Sequence, residues 1–283
     1  MNDKKIQALY GLKWNPFLSN VPVEALWKPP GFTPFFFRLE NLVMDGGFAL
    51  ICGEPGLGKS KILQLLENGL SDLGDVTVGV MERPQSSLSD FYREMGELFG
   101  VELTPSNRYG GFKSLRSKWQ SHIRSTLFRS ILLIDEAQEM ATQTLNELRL
   151  LQSVKFDSES LLTIVICGDN RLPERFRSNA LVSLGSRTRV RLIMKPYERE
   201  TLLEYLEYAL EKAGACHLMT KSLKGALVDH SAGNLRLLNS MSTDLLERAA
   251  QKELKQLDDK LFFEVFSLPS RRRPRKKADT KNE

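Results

Sequence analysis

The sequence predicts an α/β fold: a five-stranded parallel sheet wound with helices and followed by a small C-terminal helical domain. Three observations predict it. A glycine-rich run, 53–60, stands between an apolar run at 48–52 and a segment of helical character at 61–67. An aliphatic run at 130–134 ends in the two acids Asp135 and Glu136. Strand-like runs at 48–52, 76–81, 131–134, 161–167 and 190–194 alternate with helical segments, and after Lys195-Pro196 the pattern is wholly helical. Alternation of this kind builds a parallel sheet with helices on both faces.

The first element carries chemistry in its spacing. Gly53, Glu54, Pro55, Gly56, Leu57, Gly58, Lys59 and Ser60 follow the pattern G-x-x-x-x-G-K-[ST], with Lys61 opening the next helix. Glycines let backbone N–H groups turn inward on a phosphate, and the helix N-terminus adds partial positive charge. Lys59 then reaches the β- and γ-phosphates and the Ser60 hydroxyl ligates Mg²⁺. A nucleoside triphosphate is the expected ligand.

The third strand supplies the second half of the site. A buried parallel strand reads as a continuous aliphatic run, so its acids mark the C-terminal edge where ligands gather. Asp135 is expected to hold Mg²⁺, and Glu136 is the candidate base that orients the attacking water, since phosphoryl transfer depends on positioning and charge neutralisation. Hydrolysis is the favoured reading over a merely solvated acidic pair.

Composition narrows the class. A chain of 283 residues, 41% hydrophobic and 27% charged, accommodates one large domain with a smaller companion. No apolar stretch reaches the roughly 18 to 20 residues of a membrane span and no signal-like region follows Met1, so a cytoplasmic location without membrane contact is expected. Cys52, Cys167 and Cys216 are odd in number, which argues against a disulfide framework, and three histidines without a Cys-x-x-Cys spacing leave no zinc ligand set.

The net charge of +5 is concentrated. Residues 269–283 hold seven basic and two acidic side chains, among them Arg271, Arg272 and Arg273, so the body is neutral. Such a tail cannot bury a core and is expected to be disordered, either as a nucleic-acid arm or as a solubilising end. Within the body, 103–134 contains no acid but carries Arg108, Lys113, Arg116, Lys118, Arg124 and Arg129. Helical spacing puts Lys113, Arg116 and Arg124 on one stripe, with Leu115, Trp119, Ile123 and Leu127 as the apolar face. Duplex DNA is the expected partner of the stripe, and a solvated face is the alternative.

The expected organisation is an N-terminal extension over 1–34, an α/β nucleotide-binding core over 35–195, a helical lid over 196–268 and a basic tail over 269–283. The leading segment is rich in proline and aromatics, and Asn15, Pro16 and Phe17 are offered for contact with the base. In the lid, Leu202, Leu203, Leu206, Ala209 and Leu210 recur at helical spacing, and Asn234 is suited to cap a helix bearing Leu235, Leu238, Met241, Leu245 and Leu246.

The runs 11–17, 53–60, 133–138, 147–151 and 233–238 occur in an order that resembles AAA+ ATPases of the ExeA, TniB and TnsC type, over roughly 11–250. The resemblance implies an AAA+ P-loop core with a helical lid, ATP with Mg²⁺, and homo-oligomers as rings or filaments. It assigns Arg236 as a sensor-2 arginine reaching the γ-phosphate from the lid, and Arg187 as an arginine finger reaching a neighbour's nucleotide. Asp169 or Asn170 takes the sensor-1 place, where such proteins commonly carry glutamine or threonine, which leaves the hydrolysis rate open. One branch of the group assists secretion and another serves transposition, where the ATP-bound protein coats DNA and recruits or activates a transposase. The secretion branch usually adds a transmembrane segment and a wall-binding domain, and neither is expected here. The first expectation is thus an ATP-dependent, DNA-binding regulator of transposition. A secretion or assembly ATPase without DNA binding, and a nucleotide-gated switch with little turnover, are the alternatives.

Overall fold

The computed structural model describes residues 3–82, 84, 87–103 and 107–266. The expectations for the tail, including Arg271, Arg272 and Arg273, lie outside the described residues. Helix α1 (Asp3–Tyr10) leads through an irregular stretch to α2 (Phe32–Asp45), β1 (Gly47–Cys52), α3 (Lys59–Ser71), β2 (Val78–Met81), α4 (Leu88–Phe99), α5 (Arg108–Thr126) and β3 (Ser130–Ile134). Then follow α6 (Thr142–Gln152), a small hairpin of β4 (Ser153–Val154) and β5 (Glu159–Ser160), β6 (Leu162–Gly168), α7 (Arg171–Arg175), α8 (Val182–Gly185) and β7 (Thr188–Ile193). The last four elements are helices: α9 (Arg199–Ala213), α10 (Lys221–Ser231), α11 (Leu235–Gln251) and α12 (Asp259–Phe266).

The five longer strands form one parallel sheet in the order β2-β3-β6-β1-β7. The inner strands β1, β3 and β6 are buried at every position, whereas the edge strands β2 and β7 alternate. Burial on both faces is what their unbroken aliphatic runs require. Between the two phosphate-site strands, β2 intervenes in the chain but β6 intervenes in space. Cys52 therefore stands beside Gly168, and Ile134 beside Ile166. The expected strands are all present. β2 starts at Val78 rather than 76, where its pairing with Ile131 begins, and β7 starts at Thr188, where pairing with Phe48 begins.

Side chains divide between the sheet faces with period two. Phe48, Leu50, Leu132, Ile134 and Ile166 pack with Phe91, Trp119 and Leu145 of α4, α5 and α6. Ala49, Ile51, Leu133, Val165 and Cys167 pack instead with Phe35, Leu39 and Leu66 of α2 and α3. Each inner strand contributes to both cores, which fixes its register against a one-residue slip.

Helices α9 to α12 gather a third core, and the leading segment joins it: Ile6, Leu12 and Phe17 pack with Leu206, Leu227 and Leu245. The Lys13 amide donates to the Ala213 carbonyl at 3.0 Å. The start of the extension is thereby tied to the helical part, while Leu26, further along it, packs with Val190 and Leu192 of edge strand β7. On α5, Leu115 and Trp119 are fully buried as expected, but Leu127 is 67% exposed at φ 69°. Leu127 is the C-cap of the helix, so the apolar face ends one turn earlier than its spacing suggests.

Candidate functional site

The phosphate loop crosses from β1 to α3 on two left-handed glycines, Gly56 at φ 89° and Gly58 at φ 94°. A Cβ on Gly56 would lie 2.3 Å from Asn234 Oδ1, so only glycine lets the lid approach there. Lys59, the first residue of α3, is buried, and its Nζ donates to the Gly53 and Glu54 carbonyls at 2.9 and 3.0 Å. These bonds hold the ammonium over the loop while the N–H groups at the start of α3 remain directed at the cavity mouth.

Ser60 and Asp135 meet because β1 and β3 end at the same edge of the sheet. The Ser60 hydroxyl donates to Asp135 Oδ2 at 2.8 Å, and the Glu136 amide donates to Asp135 Oδ1 at 2.9 Å. Burial, then the neighbouring Asp135 charge, pushes the Cys167 thiol's pKa well above its ordinary value, so it stays protonated. Two hard oxygens 2.8 Å apart suit adjacent positions of an octahedral Mg²⁺ with bonds of about 2.0–2.1 Å. Among the described residues no three or more His, Cys, Asp or Glu cluster as a metal cage.

Glu136 is exposed and takes the left-handed conformation, φ 49° and ψ 36°. Its carboxylate accepts from the amide nitrogen of Gln138, whose Oε1 in turn accepts from the Asp169 amide at 3.1 Å. Gln138 thus ties the end of β3 to the end of β6. It lies in the quoted Asp135–Gln138 run, but its bridging role depends on β6 being the spatial neighbour of β3. Asp169 itself is paired with Arg171, whose Nε lies 2.8 Å from Oδ2, and Arg171 also reaches Glu139 at 2.6 Å.

A cavity of about 770 Å³ opens above this edge, walled by the loop from Pro55 to Lys61, by Glu136, Gln138 and Asp169, and by lid residues including Arg236. Pro16 and Phe17 line it, as do Trp27, Tyr197 and Tyr205. Asn15 does not: it is buried, and its Oδ1 accepts from the Phe17 amide at 3.1 Å, shaping the turn that presents its neighbours. Trp27 packs edge-on against both Tyr197 and Tyr205, with centroids 5.6 and 5.3 Å away. Lys61 donates to the Ser19 carbonyl at 2.5 Å and to Gln64 at 2.9 Å, fastening the leading segment to α3.

The lid grips the phosphate loop at three successive carbonyls. Asn234 Nδ2 donates to Pro55 O at 3.0 Å, the Arg236 amide to Gly56 O at 3.0 Å, and the Tyr197 hydroxyl to Leu57 O at 2.9 Å. Asn234 also caps α11 by accepting from the Leu237 amide at 3.1 Å. Arg236 projects from the first turn of that helix into the cavity wall. Tyr197 and Asn234 as loop partners escape a reading by spacing, because both act on backbone carbonyls distant in sequence.

Arg187 lies outside the cavity and binds its own chain, through Ser183 O and the Asp157 carboxylate. On α5, Lys113, Lys118 and Arg124 are exposed. Arg116 is not free in the same way: Nη2 donates to Ser153 O at 2.7 Å and the guanidinium lies 4.8 Å from the Phe112 ring centroid.

No helix among the described residues is long and apolar enough to cross a membrane. Residues 43–176 match the family model described as an AAA domain. The chain is 28% identical over 235 residues to general secretion pathway protein A of Aeromonas hydrophila, covering 81% of this chain and 42% of that protein. It is 22% identical over 237 residues to the ATP-dependent target DNA activator B of Escherichia phage Mu, covering 77% of this chain and 68% of that one. In fold it is similar to Cdc6p of Pyrobaculum aerophilum, with a TM-score of 0.66 at 15% identity over 90% of this chain and 72% of the other. Domain III of the Thermotoga maritima replication initiation protein DnaA gives 0.60 at 21% identity, over 88% and 96%. The chain spans less than half the length of the secretion relative.

Proposed function

We propose that this chain, built on an AAA domain of the ExeA, TniB and TnsC type, is an ATPase that assembles on duplex DNA and regulates transposition. ATP and Mg²⁺ are its working ligands. The observation that carries the ATPase part is the meeting of Ser60, Asp135 and Glu136 at one sheet edge, with buried Lys59 held over the loop by the Gly53 and Glu54 carbonyls. Ser60 and Asp135 would hold the ion, which would supply neutralisation of the phosphate charge when bound. Glu136, fixed by Gln138, accepts the proton of the attacking water. Arg236 meets the γ-phosphate from the lid, and Arg187 acts across the boundary between two copies.

The DNA part is supported by the acid-free sequence of α5, whose Lys113, Lys118 and Arg124 are exposed, and by similarity over most of the phage activator's length. Hydrolysis in this reading releases the assembly. Cytoplasmic location and recruitment of a transposase belong to the same proposal. Steady-state ATPase activity with and without duplex DNA, combined with electron microscopy on DNA and a non-hydrolysable ATP analogue, tests it. Ordered ATP-dependent assemblies on DNA are expected, and their absence removes the DNA role.

A secretion ATPase is the second reading, favoured by the higher identity to the Aeromonas protein. It predicts ATP hydrolysis indifferent to DNA. The Asp169–Arg171 pair at the sensor-1 position favours slow turnover in either reading.

A further inference from the structure

The guanidinium assigned to a neighbour's nucleotide is folded back onto its own subunit. Arg187 Nη1 donates to Ser183 O at 2.5 Å and Nη2 pairs with Asp157. Asp157 stands in the β4–β5 turn, where Lys155, Phe156 and Asp157 all have positive φ, at 50°, 57° and 66°. Three successive non-glycine residues in that region turn the hairpin tip outward, and Phe156 is fully exposed on it.

The same carboxylate has a hydroxyl partner besides Arg187: Ser153 Oγ donates to Asp157 Oδ1 at 2.5 Å. The Ser153 hydroxyl, and after it Arg187 and Arg149, hold the Asp157 carboxyl below its ordinary pKa. Arg149 comes from α6, and its buried Nε has no partner among the described residues. The Arg187–Asp157 pair is itself partly open to solvent, with side chains 29% and 45% exposed, and ion pairs so placed are weak. If Arg187 leaves, Asp157 still has Ser153 at 2.5 Å and the Arg149 charge, so no carboxylate is stranded.

We propose that Asp157 is a latch on Arg187. In a lone subunit it keeps the guanidinium on the hairpin. Docking of a second copy against the hairpin face, where Phe156 projects, transfers Arg187 to the neighbour's triphosphate while Asp157 keeps its bond from Ser153. Arg187 is thereby withheld until a neighbour is present, which couples turnover to assembly. The inference rests on the reading of Arg187 as acting between copies.

The test compares full-length wild type, Asp157→Asn, Arg187→Ala and the double variant. Asparagine keeps the shape and tolerates left-handed backbone, so the hairpin is retained. ATP hydrolysis is followed over a protein concentration series, with nucleotide affinity measured in parallel by a fluorescent ATP analogue. Asp157→Asn is expected to reach half-maximal specific activity at up to about fivefold lower protein concentration, the most that an exposed pair supplies. Nucleotide affinity stays unchanged, and the double variant behaves as Arg187→Ala alone. An unchanged or higher concentration requirement in Asp157→Asn overturns the latch, as does a gain that survives in the double variant. If Arg187→Ala hydrolyses and assembles like wild type, the reading of Arg187 fails as well, a result distinct from failure of the latch alone.

Discussion

The Ser60 hydroxyl donates to Asp135 Oδ2 across 2.8 Å, although 75 positions separate the two residues in the chain. Their meeting joins the phosphate loop to the acidic strand end, and Glu136 follows directly. Glu136→Gln is therefore expected to lower steady-state ATP hydrolysis about 10²–10⁴-fold with ATP affinity nearly unchanged. Lys59→Ala should lose ATP binding itself, read by titration with a fluorescent analogue. Equal turnover in Glu136→Gln would show that another group orients the water.

Gln138 bridges Glu136 and the Asp169 amide. Gln138→Ala should reduce kcat while leaving ATP affinity within a few-fold, because it frees the carboxylate without touching the loop. A KM change with constant kcat would place Gln138 in binding instead.

Gly56→Ala sets a methyl group against Asn234 and strains a backbone at φ 89°. The expected penalty is about 1–3 kcal/mol, seen as an ATP affinity roughly tenfold to a hundredfold weaker. Asn234→Ala removes both the α11 cap and the Pro55 contact, and should lower stability by about 1–2 kcal/mol in denaturant unfolding. Wild-type affinity in Gly56→Ala would mean that the lid opens without cost.

Mixing Arg187→Ala subunits with Glu136→Gln subunits should restore part of the ATPase activity that each lacks alone. One of the mixed boundaries combines an intact arginine with an intact carboxylate. No recovery, with mixed assembly verified by mass photometry, argues against action between copies.

On α5, Arg116 is occupied by Ser153 and Phe112, so its removal also loosens the hairpin. The exposed residues Lys113, Lys118 and Arg124 give the cleaner test. Replacing all three by alanine should weaken duplex DNA binding and reduce the salt slope by about 2 to 3, as expected for loss of three phosphate contacts. Fluorescence anisotropy over a salt series measures it, and an unchanged slope makes α5 a solvated face.

The elements legible in the chain were those whose signal is local. Glycines at fixed spacing before a helix, an aliphatic run closing in Asp135-Glu136, and Asn234 before a periodic apolar stretch each state their geometry within a dozen residues. The same locality explains the misplaced limit at Leu127: helical spacing continues the apolar face, but the chain turns at a left-handed cap there.

By itself the sequence determined the parallel sheet, the phosphate loop, the acidic strand end and the helical C-terminal part, because hydrophobic period and backbone propensity are properties of neighbouring residues. The tertiary structure alone decided that β6 separates β1 and β3, that Gln138 joins the ends of β3 and β6, that the start of the leading segment packs on the lid, and that Arg187 is held by Asp157. Those contacts link residues far apart in the chain. They depend on strand order and helix docking, which are set by how three hydrophobic cores close together, and no spacing along the chain encodes that order directly.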